Sequence, residues 1–379
     1  MKKSFVIGIP KELKDDENRV SLTPEAVELL VANGHNVIIE KNAGREASYS
    51  NEDYSNAGGK ITDTRQDIYK CDIILKVAPL TDEEIGYLKK NQIVISSLRL
   101  PSQSEDSIKK MMEKKVTCIA HEFLKDENNT FPVVRSMSEI SGMTSIMIAS
   151  EYLSNVHKGK GVLVGGIAGI TPTEVTILGA GTAGEFAARA AKGLGASIKI
   201  FDDSIVKLRE IKISLGIETF TSTYHPQILY KTFRSSDIII GAMDIISKNK
   251  RPFYVTEEMI KTMKRGSVII DLSIDQGGCF ETSRFTNHKN PVFVKNEVIH
   301  YCVPNIPSRV SRTASIALSN VFTPILLSLG ATGGIKNELK DNFGLRNGVY
   351  IYNGILTNKI IGNKFNIRSQ DIDLLMAVF

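Results

Sequence analysis

The chain is short of everything that marks a disulfide-held, metal-held or membrane-embedded protein. Its 379 residues include 4 cysteines, and Cys71, Cys118, Cys279 and Cys302 are scattered with no C-x-x-C spacing. That pattern excludes a disulfide framework and a zinc ribbon, and three of the four lie in apolar, strand-like surroundings that suit reduced buried thiols. No His/Cys/Asp/Glu spacing suggests a metal site. No signal peptide opens the chain, since Met1-Lys2-Lys3 leads at once into an expected strand at residues 4–9. No apolar run approaches the ~20 residues of a membrane span, so the expectation is a cytoplasmic protein with no membrane partner. The net charge of +5 is spread along the sequence. Short clusters such as Lys109-Lys110 and Lys114-Lys115 read as solvated helix ends. A basic stripe with interleaved aromatics is missing, which argues against a nucleic-acid partner. Internal repeats, low-complexity tracts and linkers are missing too.

What is present is an ordinary globular composition, 42% hydrophobic and 23% charged, at a length that suits two domains. The most informative stretch is residues 173–202, TEVTILGAGTAGEFAARAAKGLGASIKIFD. A short apolar strand (175–178) runs into G-x-G-x-x-G, formed by Gly179, Gly181 and Gly184. An alanine-rich helix (185–194) follows, and a second strand (198–201) delivers Asp202. Each part has a physical job in holding a dinucleotide. Gly179 permits the tight strand-to-helix turn, Gly181 lets the backbone approach a pyrophosphate, and Gly184 allows close helix–sheet packing. The helix N-terminus presents unpaired N–H groups and a positive dipole end to the phosphates. Asp202 is placed to accept hydrogen bonds from a ribose diol. A carboxylate there repels a 2′-phosphate, which favours NAD over NADP.

The expected fold is α/β, with two Rossmann-like domains. Before residue 130, strands at 5–9, 36–40, 72–77, 92–98 and 116–121 alternate with helices at 24–32, 81–89 and 104–114. Such alternation implies a parallel, covered sheet. A long helix at 138–157 and a glycine-rich connector at 158–172 lead into the fingerprint. Further strands follow at 238–241, 267–272 and 298–303, separated by helices near 204–215 and 256–263. Beyond Ser311 a helix interrupted near Pro324 returns to the first domain, and its run 321–329 is a candidate subunit or interdomain surface. The domains read as 1–135 plus 309–379 for substrate and catalysis, with an NAD-binding domain at 136–308 inserted into it.

Several strings resemble the alanine dehydrogenase and pyridine nucleotide transhydrogenase α-subunit family. They are IGIPKELKDDENRVSLTPEAVELL near the start, GKGVLVGGIAGITP before the fingerprint, IDLSIDQGGCFETSRFTNHKNPVF, and HYCVPNIPSRVSRTASIALSN. The resemblance implies two α/β domains with a cleft between them, and oxidation of L-alanine with NAD and water to pyruvate, ammonium and NADH. It places Arg19 where an arginine binds the substrate carboxylate. A bidentate guanidinium suits that task, although a surface arginine in the acidic loop Asp15-Asp16-Glu17 is the plainer reading of the residues alone. It places Asp275 beside the nicotinamide, where it aids proton transfer, and the residue follows a buried strand at a sheet's carboxyl edge. Asn305 falls near the cofactor amide, and Ser138 near its phosphates or ribose. It also implies a homo-oligomer, a hexamer or a dimer.

The departures from the family pattern bear on chemistry. The family dehydrogenases carry K-V-K-E-P, with the second lysine at the substrate. This chain reads Lys76-Val77-Ala78-Pro79, so Lys76 matches the first lysine and is counted as a catalytic candidate beside Asp275, Arg19 and Arg99, while Ala78 stands at the family's catalytic lysine. The family's L-H-L histidine is replaced by Arg99 in Leu98-Arg99-Leu100, and a guanidinium does not exchange protons near neutral pH. Arg99 is either an electrostatic anchor for a carboxylate or a charge at the cleft edge. Arg19 and Arg99 together suit a dicarboxylate or a bulkier oxo acid as well as pyruvate. His121, His225 and His288 are candidate substitute bases, and His121 is equally readable as a satisfied core residue. Hydride transfer needs little from the protein beyond cofactor binding and orientation. The first reading is therefore an alanine dehydrogenase-like NAD-dependent oxidoreductase acting on an amino acid or 2-oxo acid. The alternative is a non-catalytic or partner-dependent NAD(H)-binding module resembling the transhydrogenase α subunit.

Overall fold

The computed structural model describes residues 2–13, 16–216, 219–245 and 255–378. The chain divides into two α/β units, one formed by Met1–Ser136 with Val310–Phe379 and the other by Met137–Arg309. In the first unit the strands are β1 (Val6–Ile9), β2 (Asn36–Glu40), β3 (Lys60–Thr62), β4 (Ile73–Leu75), β5 (Ile93–Ser96) and β6 (Thr117–Ala120). The second contains β7 (Glu174–Leu178), β8 (Ser197–Phe201), β9 (Phe220–Ser222), β10 (Ile238–Gly241), β11 (Val268–Asp271), β12 (Val292–Lys295) and β13 (Val298–Tyr301). The returning tail adds β14 (Val349–Tyr352) and β15 (Ile355–Leu356) to the first unit.

Both sheets are built the same way. The first is ordered β15-β14-β6-β5-β4-β1-β2-β3, and the second β12-β13-β11-β10-β7-β8-β9. All pairings are parallel except β6–β14, β14–β15 and β12–β13. Central strands such as IIL, IVIS and IIIG are buried at every position, as expected of aliphatic strands covered on both faces by helices. In each unit the third, second and first strands run one way from the middle and the later strands the other. This nucleotide-binding order leaves a crevice at the strands' carboxyl ends, where the winding reverses. That crevice lies between β1 and β4 in the first unit and between β7 and β10 in the second. It decides which loops carry chemistry.

The structure corrects expectations about two helices. The helix Ser311–Ala331 runs unbroken through Pro324. Proline removes the hydrogen bond to the carbonyl four residues back. Pro324 and Asn320 both lie on the helix's exposed side, where water can take that bond. The hydroxyls of Ser315 and Thr323 donate to carbonyls one turn back, in keeping with a helix stitched by its own side chains. The same helix is also long and apolar enough by composition to cross a membrane, contrary to the reading that no run approaches that length. Its apolar side is spent inside the chain: Leu318, Phe322, Leu326 and Leu329 are buried, and the helix packs on Pro24–Ala32. Within 321–329, Phe322, Leu326 and Leu329 are thus buried inside the chain. The long helix at the boundary starts at Pro132 and ends at Leu153, six residues before its expected start.

Candidate functional site

In the second unit the site grows from the turn after β7. Gly179 has φ +111, and a Cβ there would lie 2.2 Å from the Ala242 carbonyl oxygen that follows β10. Gly184 is closer still, with a Cβ 1.9 Å from the Gly179 carbonyl oxygen. Both glycines are therefore demanded by the backbone itself. Gly181 differs: a Cβ there meets nothing within 4 Å. It caps the helix Thr182–Gly193 with no side-chain bond to the first-turn amides. The result is an open cradle of free N–H groups at a helix N-terminus, the geometry that accepts phosphate oxygens. Among the described features this cradle is what fits a dinucleotide.

Asp202 ends β8 and is buried. Its Oδ2 accepts the Ala180 N–H at 2.8 Å, and its Oδ1 accepts the Ser204 N–H at 2.8 Å. The carboxylate thus fixes the glycine turn. Ser138 lies half-buried on the helix Pro132–Leu153, one turn before Gly142 on the same face. Gly142 packs against the start of the fingerprint helix, since a Cβ there would lie 2.2 Å from the Ala183 carbonyl oxygen. Asp275 is exposed in the turn Ile274–Gln276, beyond the carboxyl end of β11. Asn305 sits past β13 with φ +64, and its carbonyl accepts the Ser308 N–H. Asp275 and Asn305 therefore rise from the same sheet edge as the glycine turn. Beneath Asp275, Asp271 is buried and takes hydrogen bonds from Ser273 N, Cys279 N and Ser283 Oγ. Burial pushes its carboxyl up to about 6, with the nearby Asp275 charge adding to the rise.

In the first unit, the loops at the carboxyl ends of β1, β4, β5 and β6 bring Arg19, Lys76, Arg99 and His121 to one edge. Arg19 is buried and grips Glu17 with two parallel bonds, Nε to Oε1 and Nη2 to Oε2, each 2.6 Å. Arg99 Nη2 lies 3.6 Å from the same carboxylate. Burial alone would raise the Glu17 carboxyl, but the two guanidinium groups outweigh it and hold it below the usual range. Two guanidinium groups against one carboxylate leave one positive charge among these three side chains, a setting that favours a further carboxylate.

Lys76 is placed elsewhere. Its Nζ is 2.8 Å from Glu84 Oε2, 3.2 Å from the Pro79 carbonyl and 3.6 Å from Glu12 Oε2. Glu84 also binds Arg65 Nη1 at 2.7 Å. The ammonium is thus committed to a buried network and does not fill the space left at Ala78. A cavity of about 370 Å³ opens there, lined in part by Glu12, Lys76, Ala78, Thr81, Asp82 and Gln103. Glu12 accepts the Val77 N–H, and burial lifts its carboxyl to about 7, against the pull of Lys76.

His121 follows β6, packs on Phe322 with ring centroids 5.6 Å apart, and makes one hydrogen bond, between Nε2 and the Val77 carbonyl at 2.9 Å. Burial lowers its pKa, so the imidazole is neutral near pH 7. Next to it, Glu122 Oε1 collects the Leu98 and Arg99 N–H groups and the Ser97 hydroxyl. Glu12, Glu17, Glu84 and Glu122 were not singled out in the sequence as site residues. The available signal was their position one to ten residues past predicted strand ends. His225 is exposed ahead of the helix Pro226–Ser235. Among the described residues no group of three or more His, Cys, Asp or Glu could hold a metal ion.

Residues 8–141 match the family model described as alanine dehydrogenase/PNT, N-terminal domain, and residues 145–359 match the corresponding C-terminal domain. The chain belongs to the alanine dehydrogenase/PNT family. Among its relatives is an alanine dehydrogenase from Staphylococcus saprophyticus, 39% identical over 97% of this chain and 99% of the relative. Alanine dehydrogenase 2 from Staphylococcus aureus is 37% identical over 97% of this chain and 98% of its own length. Of solved structures, an L-alanine dehydrogenase superposes with a TM-score of 0.89 at 32% identity, covering 95% of this chain and 99% of that one. A transhydrogenase from Sinorhizobium meliloti shares the fold, with a TM-score of 0.80 at 23% identity over 94% of this chain and 99% of that one. The two-unit α/β architecture is thus shared with that L-alanine dehydrogenase.

Proposed function

We propose that this chain is an alanine dehydrogenase-like, NAD-dependent amino acid oxidoreductase, interconverting L-alanine, NAD and water with pyruvate, ammonium, NADH and a proton, or acting on a related 2-oxo acid. The observation that carries the reading is that a chain of this family has both an open glycine cradle beside Asp202 and a net-positive cluster of buried Arg19 and Glu17 with half-buried Arg99. NAD, when bound, supplies the acceptor for the hydride. The second unit is its binding domain, held by Gly179, Gly181, Gly184 and Asp202, with Ser138 and Asn305 as further contacts. Asp202 excludes a 2′-phosphate by charge and by its commitment to the turn amides.

The first unit is the substrate domain. Arg19 is the residue that meets the substrate carboxylate, as the family resemblance implies, and Arg99 adds a second cation. Asp275, exposed at its sheet edge, holds or passes the proton on the amine side and stabilises a cationic imine. Lys76 acts as a brace for residues 76–79 through Glu84, without touching substrate. His121 stays neutral and anchors the Val77 carbonyl. Oligomerisation completes the proposal, and sedimentation of the pure protein reads it directly. A cytoplasmic location is supported by four buried free cysteines.

The test is reduction of NAD by L-alanine, compared with NADP under the same conditions. Turnover with NAD and none with NADP is expected. Equal use of NADP removes Asp202 from the site. Binding of NADH without turnover on any amino or oxo acid favours the non-catalytic module, in line with the missing lysine and histidine.

A further inference from the structure

Arg99 is one of few bulky residues in the left-handed region, at φ 43 and ψ 62. A long side chain there is strained and persists only where the surroundings impose it. They do so from both sides of the residue. Glu122 Oε1 accepts the Leu98 N–H at 2.9 Å, the Arg99 N–H at 3.0 Å and the Ser97 hydroxyl at 3.1 Å. On the other side, the Arg99 carbonyl accepts both the Ser102 N–H and the Ser102 hydroxyl. The loop after β5 is thereby wound around a single carboxylate oxygen from the end of β6. Its partner oxygen, Oε2, is buried with no hydrogen bond and lies 3.8 Å from His121 Nδ1, which is likewise buried and unbonded.

The direction of the Arg99 side chain follows from its backbone. The left-handed conformation sets the heading on which Cβ leaves the chain, and on that heading the guanidinium lies 3.6 Å from Glu17. We propose that Glu122 is a positioning residue that fixes Arg99 in its left-handed conformation, and so decides whether a second guanidinium joins Arg19 in recognising the substrate carboxylate. This rests on the reading above, in which Arg99 meets that carboxylate.

The experiment is a double-mutant cycle on Arg99→Ala and Glu122→Ala, reading pyruvate affinity by calorimetry in the presence of NADH, with NADH affinity as the internal control. Loss of a charge-assisted contact weakens binding about tenfold or more. Each single variant is expected to lose pyruvate affinity by a similar factor. The double variant is expected to be no worse than Arg99→Ala, with NADH affinity unchanged throughout, which a general loss of structure would not produce. Additive losses, or full affinity in Glu122→Ala beside a loss in Arg99→Ala, overturn the proposal. Unchanged affinity in Arg99→Ala overturns the underlying reading instead. Should Glu122→Ala not fold, Glu122→Gln keeps an acceptor oxygen and gives the same ordering with a smaller loss. Thermal unfolding adds a readout independent of substrate. With Arg99→Gly, which adopts the left-handed conformation freely, removing Glu122 is expected to lower Tm less than it does with Arg99 present. An equal drop contradicts the positioning role.

Discussion

Replacing Lys76 by methionine separates a brace from a catalyst. The lysine is 2% exposed and pairs with Glu84, itself 1% exposed, at 2.8 Å. Removing one partner of such a pair leaves a charge buried without its counter-ion and costs about 3–5 kcal/mol. Two features push the cost to the lower end, about 3 kcal/mol. Arg65 remains 2.7 Å from Glu84, and Glu12, already lifted by burial and no longer opposed by Lys76, escapes its charge by taking a proton. For a unit of this size the loss corresponds to a fall in Tm of roughly 6–12 °C. Circular dichroism through the transition measures it. Steady-state kinetics well below that temperature are expected to show KM for the oxo acid within about threefold of wild type, as befits a residue that does not touch substrate. An unchanged Tm refutes the buried brace. A large loss of kcat/KM in fully folded protein shows that Lys76 reaches the substrate after all.

Three further outcomes follow. Glu12 is raised from 4.5 to about 7 in the folded chain, so the folded state binds more protons than the unfolded one across that window and stability falls as pH rises through it. Glu12→Gln keeps the acceptor for the Val77 N–H and is expected to remove that fall. Denaturant unfolding at several pH values, compared with wild type, checks it, and parallel curves contradict it. Gly181→Ala places its Cβ in open space whereas Gly184→Ala drives it to 1.9 Å from the Gly179 carbonyl oxygen. The first is expected to fold normally and bind NADH at least tenfold more weakly, and the second to lose both stability and binding. NADH fluorescence and melting curves that rank the two alike refute the cradle. Asp275→Asn is expected to abolish turnover, down by about 10²–10⁴, with NADH affinity retained. Turnover that survives removes Asp275 from the chemistry.

The second unit was the more legible in sequence because its signal is local. Strand, glycine turn, helix and acid lie within 173–202, and Ile238–Gly241 matched its expected bounds. Asp202 was read as a ribose acceptor, whereas its bond to the Ala180 amide depends on β7 and β8 pairing, which no local pattern reveals. The central strands of the first unit stood out as aliphatic runs. The short strands β3 and β9 did not, being three residues long with no buried position. Nor did β14 and β15, whose place beside β6 comes from a contact more than 200 residues apart in the chain. The candidate site in the first unit was legible in its cations and silent in its carboxylates. Asp15-Asp16-Glu17 reads as a solvated acidic loop, and only the fold buries Glu17 against two guanidinium groups. Glu84 closes the capping box opened by Thr81, a local pattern, while its pairing with Lys76 and Arg65 comes from tertiary packing. Buried charge is a property of neighbours, and the neighbours are brought by topology.

The most direct test of the central claim is NADH oxidation with pyruvate and other 2-oxo acids, run with and without ammonium, with the product identified. Oxidation that requires ammonium and yields the L-amino acid is the predicted result. Oxidation without ammonium to a 2-hydroxy acid, or none on any oxo acid while NADH remains bound, contradicts it.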